Sequence, residues 1–234
     1  MTPHPLEARD KAAAAAARLR PKDAASIILI DRTGRDPRVL VGKRSSKHVF
    51  MPDLYVFPGG RRDRRDRNLP FLRDLHPTVL TRLAGGGDDP TLAGRCRALA
   101  LAALRELEEE TGLVIGSFET GGSSRNHFSA DLGALRYVAR AITPPGNIRR
   151  FDTRFFLTFC DETGIDPGMI RDSAELQDLR WLDMHDVSGL NMPAITRTIL
   201  EDVRTQMKDD PSLPFGSDGP FYFSRRGRFF RDTI

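Results

Sequence analysis

Apolar and polar positions change period several times along the chain. AASIILID (Ala24 to Asp31) is a continuous β-branched run, the pattern of a strand buried on both faces. After the turn-rich DRTGRDP, RVLVGKR (Arg38 to Arg44) predicts a second strand, and the pair predicts a hairpin. LYVF (Leu54 to Phe57) predicts a short third strand, ended by Pro58, Gly59 and Gly60. Residues 61–94 break the pattern with charge runs, a GGGDDP loop and one apolar stripe at helical spacing (Leu72, Leu75, Val79, Leu83). They are expected to be an insertion with one helix.

RALALAALRELEEETG (Arg97 to Gly112) predicts an uninterrupted helix closed by Gly112 at C′. Strands are expected over Ala134–Thr143, Arg154–Cys160 and Leu179–Asp183. A helix is expected over Asn191–Lys208, with Pro193 early and Ile195, Ile199 and Val203 on one face. The Ala-rich segment Leu6–Arg20, stopped by Pro21, predicts a peripheral helix with little to pack against. Residues 209–234 lack clear periodicity. The expected organisation is an N-terminal arm (1–23), one domain (24–208, with 61–94 inserted) and a C-terminal tail (209–234). Strands grouped around two amphipathic helices imply an α+β domain, a mixed sheet covered by helices.

Composition narrows the class. The 234 residues are 39% hydrophobic, enough for a sizeable core in one domain. The net charge of +4 is a mild excess, carried largely by RRDRRDR (61–67) and SRRGRFFR (224–231). It suits anionic ligands such as phosphates, and both runs read most simply as solvated surface, so nucleic acid is not the expected partner. Cys96 and Cys160 fall in no zinc-like spacing and fit a reducing compartment. No apolar run approaches the ~20 residues of a membrane span. A cytoplasmic protein without a membrane partner is the expectation. The five histidines (4, 48, 76, 127, 185) are dispersed and suggest no catalytic pair.

One cluster departs from a structural pattern. Glu106, Glu109 and Glu110 stand at i, i+3 and i+4, on one face of the predicted helix and near its C-terminal end. Like charges there repel, and the helix dipole disfavours them. Leu101 and Leu104 point the other way, so the acids are not needed for packing. A hard divalent cation reverses the balance, because carboxylate oxygens are its preferred ligands.

The residues around the cluster read R-E-U-x-E-E-x-G-U, with U aliphatic (Arg105 to Leu113). This resembles the second half of the Nudix box, G-x5-E-x7-R-E-U-x-E-E-x-G-U. VFPGG (Val56 to Gly60) resembles its entry. Two features depart from the pattern. Residues 61–104 separate Gly60 from Arg105, about 31 more than usual. The slot of the first box glutamate holds Arg97. A long insertion inside the box, with RFDTRFF (Arg150 to Phe156), is similar to a Nudix subgroup that includes coenzyme A diphosphatases.

The resemblance implies an α/β/α sandwich, with the helical insertion between the PGG loop and the catalytic helix. It implies hydrolysis of a nucleoside diphosphate linked to another group, with Mg²⁺ or Mn²⁺ as cofactor. Glu106, Glu109 and Glu110 become the metal ligands, with the backbone of Gly59 adding an oxygen. Arg105 orients Glu109. Glu106 and Glu175 are the alternatives for the general base. Gly60, Arg44 and Arg150 are candidates for the substrate side, the two arginines as phosphate donors. Phe151 and Phe155 are candidates for stacking or for core. Coenzyme A or an ester is the first substrate implied. ADP-ribose, dinucleotides and nucleotide sugars share the reacting diphosphate, and the basic tail leaves an RNA end open. A non-enzymatic sensing module on the same fold commonly lacks box acids that this chain retains. Nudix domains often form homodimers.

Overall fold

The computed structural model describes residues 19–46, 52–87, 89–120, 126–187 and 189–234. The helix expected over Leu6–Arg20 lies outside these, apart from Leu19 and Arg20, which are not helical. The sheet is organised around β1 (Lys22–Asp31), whose apolar run is buried from Ala24 to Ile30. Its side chains alternate between two cores. Ala25, Ile27 and Leu29 enter one, and Ile28 and Ile30 enter the other. A strand with helices on both faces needs a continuous apolar run, which is what this segment supplies.

β1 pairs antiparallel with β2 (Arg38–Arg44), the expected hairpin, and parallel with β9 (Phe151–Phe159) along most of its length. The strand order is β10 (Leu176–Asp183), β2, β1, β9, β8 (Arg136–Ile142), β11 (Pro220–Arg225), β12 (Arg228–Thr233). Two short strands, β3 (Tyr55–Val56) and β4 (Gly59–Arg61), lie on β2 and β1 respectively. A separate small sheet has the order β5 (Phe71–Arg73), β7 (Asn126–Asp131), β6 (Gly116–Thr120). Helices number α1 (Pro77–Leu83), α2 (Pro90–Thr111) and α3 (Ala194–Asp209), besides single-turn pieces.

α2 covers one face of the main sheet. Leu99, Leu101, Leu104 and Leu107 are fully or almost fully buried, each worth about 1.5–3 kcal/mol of transfer free energy. The helix starts at Pro90, seven residues before Arg97. Asp89 caps it by accepting a hydrogen bond from the Thr91 N–H at 2.8 Å. It ends where expected, on Gly112 at φ 73°. α3 covers the other face with Ile199, Leu200 and Val203. Pro193 is its N-cap residue rather than part of its first turn. This is the expected α/β/α sandwich with a mixed sheet.

Two expectations are corrected. The apolar stripe in the insertion is not one helix. Leu72 sits exposed in β5, Leu75 is buried in the connection, and only Val79 and Leu83 are helical. Pro77 explains the boundary, because it disfavours helical geometry for the residue before it and fits a first turn. Residues 209–234, expected as a tail, finish α3 and then form the β11–β12 hairpin. The register Phe221↔Arg140 and Tyr222↔Ala141 adds β11 in parallel to β8, so the hairpin extends the sheet. Arg226 (φ 52°) and Gly227 (φ 75°) form its two-residue turn, the left-handed pair that matches strand twist. Among the described residues, no helix is long and apolar enough to cross a membrane.

Candidate active site

The Pro-Gly-Gly loop is stapled to the central strand. The Pro58 carbonyl accepts hydrogen bonds from the Ile27 N–H at 2.9 Å and the Ser26 hydroxyl at 2.8 Å. This places Gly59 and Gly60 against the C-terminal half of α2. A Cβ on Gly59 (φ 154°) would lie 2.5 Å from the Ala25 carbonyl oxygen. One on Gly60 would lie 2.4 Å from the Glu106 carboxyl. The two glycines therefore exist for close approach, one to the strand and one to an acid of the helix.

Glu110 is 5% exposed, and its Oε2 accepts the Gly59 N–H at 2.8 Å. Burial pushes its carboxyl up to about 8. The Gly59 hydrogen bond and the charge of Arg44 oppose this, while Glu106 and Glu175 add to it. Glu106 is also raised, first by burial and then by Glu109 and Glu175, against the pull of Arg105. Three acids thus share one electrostatic neighbourhood. They line a cleft of about 570 Å³ together with Gly59, Gly60 and Arg44.

Arg105 is the organiser of the helix end. One terminal nitrogen donates to Glu106 Oε1 and to Glu109 Oε2, each at 2.8 Å. Its Nε donates to Asp66 Oδ1 at 2.8 Å. Asp66 is fully buried and also accepts the Asp63 N–H at 2.6 Å. Burial works against the charge on Arg105, but the Asp66 and Glu106 partners raise its pKa overall. The expected Arg105–Glu109 pair is present, and Asp66, inside a charge run expected at the surface, is buried as a second partner of Arg105. The available cue was chemical. The slot of the first box glutamate holds Arg97, which is paired with Asp74, so an acid for Arg105 has to come from elsewhere in the chain.

The other expected residues divide. Glu175, just before β10, lines the cleft with Glu106 and Glu110, as does Arg44 at the end of β2. Glu109 stays on the outer side, its side chain 53% exposed. The Gly59 N–H donates to Glu110 at 2.8 Å, which puts this backbone beside the acids. Arg150 is a correction. Its guanidinium donates to the Thr143 carbonyl at 2.9 Å and the Leu19 carbonyl at 2.6 Å, bracing a loop, and the cleft is lined by its neighbour Arg149. Adjacent residues of an irregular segment point apart, and sequence alone did not say which faced inward. Phe151 and Phe155 both line the cleft, with Phe155 buried as part of the α3-side core.

As the side chains stand, no three His, Cys, Asp or Glu among the described residues converge tightly enough to grip an ion. Arg105 occupies oxygens of both Glu106 and Glu109. The donor chemistry nevertheless fits a hard cation. The acids are oxygen donors, and the charge of Glu106 raises the pKa of Glu110.

Residues 91–203 match the profile of the NUDIX domain. The match begins at α2, because the insertion detaches the PGG loop from the box helix. A curated protein of Caenorhabditis elegans with the provisional name nudix hydrolase 7 is 27% identical over 182 residues. The alignment covers 69% of this chain and 51% of that relative, so the chain spans about half of the relative's length. A NUDIX hydrolase structure from Alicyclobacillus acidocaldarius superposes with a TM-score of 0.58 at 24% identity, covering 79% of this chain and 91% of that one. A MutT/nudix family protein from Enterococcus faecalis gives 0.53 at 12% identity, covering 92% and 79%. The box helix, the PGG loop and the sandwich are all in place, and residues 91–203 are similar to a Nudix domain.

Proposed function

We propose that the chain hydrolyses the P–O–P bridge of a nucleoside diphosphate linked to another group, with Mg²⁺ or Mn²⁺ as cofactor. The observation that supports this best is the meeting of Glu106, Glu110 and Glu175 in one cleft beneath Gly59 and Gly60. When bound, the cation offsets the negative charge of the diphosphate and makes the attacking water more acidic. Glu106, Glu109 and Glu110 are its proposed ligands.

The chain's own residues do the rest. Arg105, held by Asp66, fixes the rotamers of Glu106 and Glu109. The Gly59 N–H fixes one oxygen of Glu110. Arg44 supplies a cation at the cleft wall for a phosphate oxygen. The attacking water bonds to phosphorus and gives its proton to a carboxylate oxygen of Glu106 or Glu175. The bridging P–O bond breaks, its electron pair leaving with the departing phosphate. Glu106 is the better oriented of the two bases, since Arg105 and Gly60 both confine it.

The test is a hydrolysis screen over coenzyme A, ADP-ribose, a dinucleotide and a nucleotide sugar, with each metal and with EDTA. Coenzyme A is the first substrate proposed, supported by the box insertion and RFDTRFF. Release of a phosphomonoester that stops with EDTA is the expected result. Glu106→Gln and Glu109→Gln should each lower turnover by about 100-fold or more, the scale of removing one charge-stabilising group. Variants that melt like the parent and keep its rate would sink the assignment.

A further inference from the structure

The cleft does not end at the carboxylates. It runs along the α3 side of the sheet to the C-terminal hairpin, where Tyr222, Phe223, Phe229 and Phe230 line it. The two ends differ in chemistry. One is acidic with Arg44, suited to a diphosphate and a cation. The other is aromatic.

The aromatic end is built to hold its shape. Phe223 and Phe230 face each other across the hairpin, with ring centroids 5.4 Å apart and 15° between planes. The Tyr222 hydroxyl donates to Asp202 Oδ2 on α3 at 2.5 Å, and Arg231 donates to Asp202 Oδ1 at 3.1 Å. The hairpin is thereby tied to both the sheet and α3. Yet Phe229 is 79% exposed and Phe230 43%. Exposed rings on a braced wall, continuous with a polar site, are suited to a flat ligand.

We propose that the C-terminal hairpin is the recognition wall for the nucleobase of the substrate, with Phe229, on the same face as Tyr222 and Arg231, presenting the stacking ring. This rests on the proposed hydrolysis and adds to it the residues that read the group beyond the diphosphate. Ring-on-base stacking accepts any base, because every base has a π face. A second copy of the chain on the β12 edge is the competing occupant. Arg228, Arg231 and Asp232 along that strand disfavour edge-to-edge pairing.

The experiment compares the parent, Phe229→Ala and Phe229→Trp. Isothermal titration in EDTA uses 5′-AMP and ribose 5-phosphate, in which a hydroxyl replaces the base. The parent should bind 5′-AMP about tenfold more tightly, the size of one base stack, and the alanine variant should lose that preference. Phe229→Trp should keep it. Ribose 5-phosphate binding and the melting temperature should not move. With any substrate found in the hydrolysis screen, KM should rise about tenfold while kcat stays within about twofold. Equal binding of the two probes by the parent, or an unchanged preference in the alanine variant, overturns the proposal. So does a change in mass by light scattering that places the rings in a subunit interface. The titration needs no turnover, so an inactive parent that still prefers 5′-AMP rejects the hydrolysis and leaves the wall standing.

Discussion

α2 and the β11–β12 hairpin flank the same cleft, and they hold their positions by opposite means. α2 is fixed by burial. Its Leu and Ala stripe disappears into the sheet, and only its last two turns carry chemistry. The hairpin is fixed by its edges. β11 lies on β8, Tyr222 and Arg231 hold Asp202, and β12 is exposed along its whole length. Burial gives a helix that tolerates no change inside and can carry charges outside. Edge attachment gives a wall whose faces are free to meet a ligand.

The largest effect should come from the buried side. Leu104→Ala removes a fully buried side chain between helix and sheet and should cost about 3 kcal/mol, read as a lower denaturant midpoint at constant slope. A loss below about 1 kcal/mol would mean that α2 is not held by this core.

Next comes the anchor of the helix end. Asp66→Asn leaves Arg105 without its buried anionic partner. Breaking a fully buried pair costs about 3–5 kcal/mol. Because Arg105 is 20% exposed and keeps Glu106 and Glu109, the loss should fall below about 3 kcal/mol. The loosened Arg105 should also lower Mn²⁺ affinity, measured by titration, and turnover about tenfold. Asp66→Glu should restore part of both. A variant that loses stability but keeps metal affinity would reduce Asp66 to a strut.

The contrast between the two regions also explains what could be read in the chain beforehand. β1, β2 and α2 announce themselves because burial imposes a period, either a continuous apolar run or a Leu and Ala stripe with caps. The acid triad stands out because it violates that economy. The hairpin imposes no such period. Its inward and outward positions both hold Phe or Arg, so RFFR reads as a charged tail. Asp66 is invisible for a related reason, since its burial comes from pairing with a distant arginine and not from local pattern. Leu72 misled because residues 61–94 are ordered by tertiary contacts across a proline boundary. Arg149 and Arg150 differ only in which way an irregular segment turns, which periodicity does not encode.

A smaller effect separates the sheet's charged seam from both regions. Asp23 on β1 accepts from Arg95 of α2 at 2.6 Å, with Arg62 and Arg154 close by. Burial alone would raise its pKa, but the three arginines outweigh it and hold the carboxylate below its ordinary value. A carboxylate depressed in the folded state contributes stability above its unfolded pKa, and loses it as pH falls through the folded value. The parent should therefore lose stability below about pH 4, and Asp23→Asn should flatten that limb of the curve while costing stability at neutral pH. A parallel acid limb in the variant would place the dependence on other groups.

The smallest effect is the sharpest test of the contrast. Phe229→Ala removes a larger side chain than Leu104→Ala does, yet the ring is 79% exposed, so little of its apolar area leaves water on folding. The change in stability should fall within about 0.5 kcal/mol, the range of surface substitutions. Hydrophobic size alone predicts the reverse order, with the phenylalanine costing more. If Phe229→Ala destabilises by more than about 1.5 kcal/mol, the ring is part of a packed core, and its availability to a ligand in the cleft is lost with it. If the loss is negligible, the ring is not part of the core and stays available to a ligand in the cleft.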